Sequence, residues 1–455
     1  MGAAYSTNAI TNLRTDRHKT CRFFFMGIIP RMIYRILRLF DLFVVILVVL
    51  FASKSDAPRF SSDTDRTRIF TRQIEFDYPN WVWNAAWVKI EQGTLGAPYS
   101  FDRGTSKQIV FNYLRTTQQL MQIDYRTEQI FADPGIIDKD SATEFLRKQR
   151  DELTIRQTQL APFAESILQS QLSEALAALG LTTAGQPIPQ VLYHTTPTPR
   201  ALIVSPRNRI VQIANISILP TLKLDEEIKL EDDVAKSLNV STLVVGIGGV
   251  GVYPTMVMET TDLRWMLDTI AHEWTHNYLN LRPLGLNYST TPELRTMNET
   301  TASIAGNEVG TYVVQKYYPE LLESSRNRNL ISFNPSPLPS HGLDDPPSFD
   351  FRSEMHTTRV TADALLAKGK IDEAESYMEQ RRQYFWQNGY LLRKLNQAYF
   401  AFHGAYADVP GGAAGEDPVG PAVRALREQS DSLADFINTI AWMKSFDELK
   451  QAIKQ

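Results

Sequence analysis

The chain has 455 residues, too many for one ordinary core, so two or three domains are the prior expectation. Apolar residues make up 43 % and charged residues 22 %, a globular balance, and a formal net charge of −4 offers no basic field for nucleic acid. The single cysteine, Cys21, excludes an intramolecular disulfide and any cysteine-based zinc set, so metal chemistry here must use histidines and carboxylates.

At the N-terminus, "RMIYRILRLFDLFVVILVVLFASKS" sets Arg31, Arg35 and Arg38 before an apolar run from Leu42 to Ala52. Extended back to Ile33, the run reaches about 20 residues, enough to span a bilayer with the arginines snorkelling to the headgroups. The basic flank predicts a single-pass protein with residues 60–455 outside the cytoplasm. An uncleaved signal anchor is the favoured form, and a signal peptide cut near Ser53-Lys54-Ser55 is the competing one. "MGAAYS" fits the loose myristoylation pattern and carries little weight. Glycan sequons fall at Asn215, Asn239, Asn287 and Asn298, and a glycan on the last would obstruct the site developed below, which favours an unglycosylated, bacterial setting.

Residues 53–70, rich in Ser, Asp and Arg, read as an exposed linker. From 71 to 180 the apolar spacing is helical and ends on Gly180 as a C-cap. After 185 the pattern changes to short β-branched runs, "QVLYHTT", "ALIVSP", "IVQIANISIL" and "STLVVGIG", which predict strands. Gly246, Gly248 and Gly251 have the dinucleotide-loop spacing, but Val252-Tyr253-Pro254 follows where a helix would have to open, so a glycine-rich strand end is expected. Helical periodicity resumes at 262 and dominates to the end, with one helical hairpin turned at Gly369 and no repeat of it. The predicted fold class is α+β and mostly helical. Its expected regions are 1–60 (basic region and membrane segment), 61–184 (helical), 185–320 (small sheet and metal-binding core) and 321–455 (helical, completing the cleft).

The chemistry is concentrated in "DTIAHEWTHNYLN". His272 and His276 lie four apart on a helix without Gly or Pro, so both imidazoles can reach one ion. Glu273 sits about 100° around from His272 and can address a water on that ion without being a ligand. This is the H-E-x-x-H arrangement of metalloproteases, and the bland alternative is two half-buried histidines beside a solvated glutamate. A third histidine at the metzincin position is excluded, because Leu279 and Arg282 stand where Gly and His would be needed. A carboxylate from a later helix is the remaining solution. "TTPELRTMNETTASIAGNEVGTYVV" begins at Thr291 with Pro292 in the first position, and puts Glu299 in line with Ala302, Ser303, Gly306, Gly310 and Val313. One carboxylate on a face of small residues suits a helix that packs closely on the histidines. Glu293, in the first turn, and Glu308, off that face, are the rivals.

His272-Glu273-Trp274-Thr275-His276 and Asn298-Glu299 resemble the gluzincin metallopeptidases, the thermolysin-like and aminopeptidase clan, in which H-E-x-x-H is followed on a later helix by Asn-Glu. The likeness covers about residues 262–312 on these motifs. Thermolysin-like members carry an Asp four residues after that Glu, where this chain has Ser303. "NETTASIAGNEVG" and "LRKLNQAYFAFHGAYADVP" are similar, more weakly, to a group of bacterial aminopeptidase-like proteins, and the N-terminal half resembles nothing known. The resemblance implies Zn²⁺ on His272, His276 and Glu299, Glu273 as general base on the zinc-bound water, and hydrolysis of a peptide substrate. It also places "GGVGVYPTMV" as the strand that holds substrate backbone. The oxyanion partner is open among Tyr390, Tyr399, His403 and Tyr406, with His403 and Tyr406 expected on one helical face. Two other classes stay open: a membrane-anchored helical scaffold with an incidental motif, which would carry no stoichiometric zinc, and a zinc amidase acting on a non-peptide substrate.

Overall fold

The computed structural model describes residues 62–94, 101–132, 135–324, 349–406 and 412–453. Helices α1 (Asp63–Thr71), α2 (Tyr78–Thr94), α3 (Arg103–Ala132) and α4 (Lys139–Ala178) come first, then strands β1 (Tyr193–Thr195), β2 (Arg200–Pro206) and β3 (Ala214–Ile218). Helix α5 (Leu224–Leu238) precedes β4 (Val240–Gly246), β5 (Gly249–Val250) and β6 (Thr255–Val257), which lead into α6 (Leu263–Leu279), α7 (Pro283–Leu286), α8 (Pro292–Tyr317) and α9 (Glu320–Ser324). Helices α10 (Phe351–Ala367), α11 (Ile371–Gln387), α12 (Gln397–His403), α13 (Val419–Gln429), α14 (Leu433–Ile440) and α15 (Phe446–Ala452) complete the described elements. The fold is mostly helical, with two small sheets.

Residues Ser61–Gln455 form one compact unit. Its largest core takes Val110 and Tyr113 from α3, Leu168 and Leu172 from α4, Met266, Leu267 and Ile270 from α6, Val309 and Val313 from α8, and Phe436 and Ile437 from α14. One sheet is antiparallel in the order β3-β2-β4. Along β2 the side chains alternate: Leu202 and Val204 join Leu230 and Val234 of α5, while Ala201 and Ile203 join Ala398 and Phe402 of α12 or its end. Burial on both faces explains why these strands read as nearly unbroken apolar runs. In the second sheet β1 runs parallel to β6, and β5 pairs antiparallel with the other edge of β6. Buried Glu165 of α4 binds Lys89 Nζ (2.5 Å), Gln92 Nε2 (2.8 Å), His194 Nδ1 (3.0 Å) and Thr195 N (2.9 Å), which pins α2 and β1 to the core.

Helices α6 and α8 lie against each other where α8 lacks side chains. A Cβ on Gly306 would stand 2.6 Å from the Asp268 carbonyl oxygen, and one on Gly310 would stand 1.8 Å from Asp268 Oδ1. Arg264 closes the same contact: its Nε donates to both Asp268 carboxylate oxygens at 2.8 Å, and its Nη2 donates to Asn307 O (3.0 Å) and Thr311 Oγ1 (2.7 Å) across on α8.

Several sequence expectations change. No helix among the described residues is long and apolar enough to cross a membrane. The single-pass membrane location, with its transmembrane keyword and exported catalytic region, is corrected accordingly; residues 31–52, on which it rested, lie outside the described residues. The expected linker at 53–70 contains helix α1, capped by Ser62 and burying Thr67 and Thr71. Helix α5 falls in the stretch read as strands, between two of the β-branched runs; its buried face carries Glu227 and Glu231 beside Leu230 and Val234. The hairpin turn at Gly369 is present, at φ +72° between α10 and α11.

Candidate metal centre

Helix α6 begins at Asp262, whose Oδ1 accepts from Trp265 N at 3.0 Å, and runs unbroken through the motif. Its four-residue spacing brings the His272 and His276 Nε2 atoms to 3.0 Å. Helix α8 starts at Thr291, which caps Leu294 N at 3.2 Å, and carries Glu299 opposite. Glu299 Oε2 lies 3.4 Å from His272 Nε2 and 3.5 Å from His276 Nε2. The three ligand-type atoms all fall within 4.8 Å of one another.

The donor set suits a cation. Glu299 is 4 % exposed, and its Oε2 is buried with no hydrogen-bond partner and only the two imidazole nitrogens near it, a costly state for a carboxylate oxygen unless positive charge is shared with them. His276 Nδ1 lies 2.7 Å from Asn298 Oδ1; that bond assigns a proton to Nδ1 and leaves Nε2 as the nitrogen that faces Glu299. Ser303 Oγ is 3.5 Å from His272 Nδ1, so the residue four positions after Glu299 faces the first histidine of the motif. Burial pulls the His276 pKa down, and the Glu299 carboxylate more than reverses it, to about 9. Burial would raise Glu299, yet the two imidazoles hold it well below the usual carboxylate range. The site draws positive charge.

Glu273 points elsewhere. It is 8 % exposed, and burial raises its pKa, with the two imidazoles opposing and Glu299 adding to the rise. A Cβ on Gly249 would stand 2.7 Å from its Oε1, and one on Gly251 would stand 3.0 Å from His276 Cβ. The glycine-rich segment therefore ends a strand and admits two polar side chains close to backbone. Asn277 Nδ2 donates to Val252 O (3.1 Å) and Thr255 Oγ1 (3.2 Å), tying α6 to the β5–β6 connection. A cleft of about 390 Å³ opens here, lined by Gly248, Gly249, Trp265, His272, Glu273 and Tyr406 among others.

Tyr406 places its ring 6.3 Å from that of His272, tilted by 28°, and remains partly open to solvent. His403 does not share that face. Helix α12 stops at His403, whose ring packs at 4.3 Å from Tyr399 and 5.1 Å from Phe402, and burial lowers its pKa to about 4. The structure thus brings His272, Glu273 and Tyr406 to one cleft, sets His276 and Glu299 beside His272, and leaves His403 in aromatic packing. Of the rival carboxylates, Glu308 is engaged by Arg427 at 2.7 and 2.8 Å, and Glu293 lines a separate cavity.

Two residues escaped the sequence reading. The Tyr288 hydroxyl donates to Glu299 Oε1, and Arg295 Nε in turn approaches the Tyr288 oxygen at 3.4 Å while its Nη1 donates to Ala401 O at 2.9 Å. Arg295 had a usable signal, since it precedes Glu299 by one helical turn. Tyr288 comes from the α7–α8 connection and had none. Comparison with known protein families, curated proteins and solved structures finds no match to this chain.

Proposed function

We propose that the chain is a zinc-dependent peptidase of gluzincin type, with His272, His276 and Glu299 as ligands and Glu273 as general base. The observation that carries this reading is the unpartnered, buried Glu299 Oε2 facing two imidazole nitrogens beside a second buried carboxyl at the mouth of a cleft. When bound, zinc would polarise a substrate carbonyl and acidify a water. Glu273, buried beside the two histidines, accepts a proton from the attacking water and delivers it to the leaving amine. Tyr406, whose ring lies 6.3 Å from that of His272, supplies a hydroxyl donor to the oxygen that gains charge. Strand β5 has β6 on one side only among the described residues, so an extended peptide can add to its other edge beside Glu273. The zincin-like character of this core, and peptide as the substrate class, rest on the same reading.

The test is zinc content of the purified full chain by atomic emission, together with mass-spectrometric cleavage of a mixed peptide library. About one zinc per chain, with hydrolysis abolished by chelator and restored by zinc, is expected. A chain that binds no zinc overturns the metal centre. A zinc-bearing chain inert on every peptide but active on other amides transfers the site to a different substrate class.

A further inference from the structure

The two oxygens of Glu299 have different surroundings. Oε2 faces the imidazoles and has no hydrogen-bond partner, whereas Oε1 accepts the Tyr288 hydroxyl. A carboxylate has no proton to give, so Tyr288 must be the donor, and its oxygen is left to accept from Arg295 Nε. Arg295 is itself buried and fixed at Ala401 O, and the Tyr288 ring stands edge-on to His276 at 6.2 Å and 89°. The donor chain Arg295 to Tyr288 to Glu299 is therefore held at both ends.

We propose that Tyr288 is a positioning residue that makes Glu299 a one-oxygen ligand. A carboxylate free at both oxygens can close on an ion through both and take an additional coordination position. With Oε1 occupied by the tyrosine, only Oε2 is offered to an ion. Arg295 strengthens the tyrosine as a donor and stops it from swinging away. The inference rests on the zinc reading above and concerns the number of ligand atoms.

The experiment uses Tyr288→Phe in the full chain, which keeps the ring against His276 and removes only the hydroxyl. Tyr318→Phe is the control, because Tyr318 also donates a buried hydroxyl, to Gln171 Oε1 at 2.9 Å, away from the site. Zinc affinity is measured by competition with a chromophoric chelator, and ligand number by the visible spectrum of the Co²⁺-loaded protein. Tyr288→Phe should weaken zinc binding by about 10–100-fold and shift the cobalt spectrum toward the weaker absorption of a higher coordination number, with Tyr318→Phe matching wild type. Unchanged affinity and spectrum in Tyr288→Phe, with wild type holding zinc, overturns this inference alone. Wild type without zinc overturns the metal centre and this inference with it. Should circular dichroism show Tyr288→Phe unfolded, Arg295→Lys carries the same test by removing the Nε–H behind the tyrosine. Severalfold weaker zinc supports the proposal and unchanged zinc overturns it.

Discussion

Gly249 and Glu273 occupy space that a side chain on the first would take from the second: a Cβ on Gly249 would stand 2.7 Å from Glu273 Oε1 and 2.8 Å from its Cγ. Glu273 cannot yield toward His276, because Gly251 is packed there as well. Gly249→Ala should turn the Glu273 carboxyl out of place and lower turnover by at least ~10-fold, while zinc content stays at the wild-type level. Paired turnover and metal measurements check this, and undiminished turnover would mean that the carboxyl position has no bearing on rate.

Glu273→Gln keeps the shape and can hydrogen-bond a water but cannot take its proton. Zinc should stay near one per chain while turnover falls by ~10²–10⁴. Loss of zinc together with activity would make Glu273 a ligand.

Glu299→Ala should lose zinc on dialysis against a mild chelator and recover activity poorly when metal is returned, a larger effect than the ~10–100-fold typical of an outer hydrogen-bonding group. Glu293→Ala and Glu308→Ala should keep the metal. The second also breaks the half-exposed pair with Arg427, at a cost of at most ~1 kcal/mol. Ser303→Asp sets a carboxylate near His272 Nδ1 and should alter zinc affinity without changing the ligand number. Retained zinc in Glu299→Ala with loss in Glu308→Ala would reverse the ligand assignment.

Gly306→Ala pushes a methyl group against the backbone of α6, at the Asp268 carbonyl oxygen and 3.2 Å from His272 Cβ. The two helices must part, and urea unfolding should show a loss of ~1–3 kcal/mol. Equal midpoints for variant and wild type would show that the contact has slack.

His403 supplies a pH test. Burial lowers its folded pKa to about 4 from 6.5, so between those values the unfolded chain binds a proton that the native chain refuses. Its contribution to stability is complete above pH 6.5 and falls as pH drops toward 4, by up to ~3 kcal/mol. His403→Gln should reduce this slope relative to wild type, read from urea midpoints at pH 7.5 and 5, and should leave turnover within severalfold. An unchanged slope would place the imidazole in contact with solvent.

The part of the site that the sequence made legible is the part that depends on local geometry. The His272–His276 spacing needs only helical pitch, and Glu299 was reachable because Ala302, Gly306 and Gly310 mark the face by which α8 approaches α6. Tyr288 was not reachable, since its position depends on how the α7–α8 connection folds over Glu299. His403 and Tyr406 were paired by a helical period that ends at His403. The strands were visible through their two-sided burial, whereas α5, amphipathic but short and set between two strand runs, was passed over with them. Helix α1 was masked by polar composition of the kind that also marks linkers.

The Arg264 clamp has a kinetic corollary. Because it fastens α6 to α8 through Asp268, Asn307 and Thr311, the two helices that carry the proposed ligands are held together by contacts that involve none of those ligands. On the proposed metal reading, an ion at His272, His276 and Glu299 would have little chain left to order on arrival and no folding to undo on departure. Its exchange is governed by passage through the cleft beside Trp265 and Tyr406, at a rate that denaturant below the unfolding transition should scarcely change.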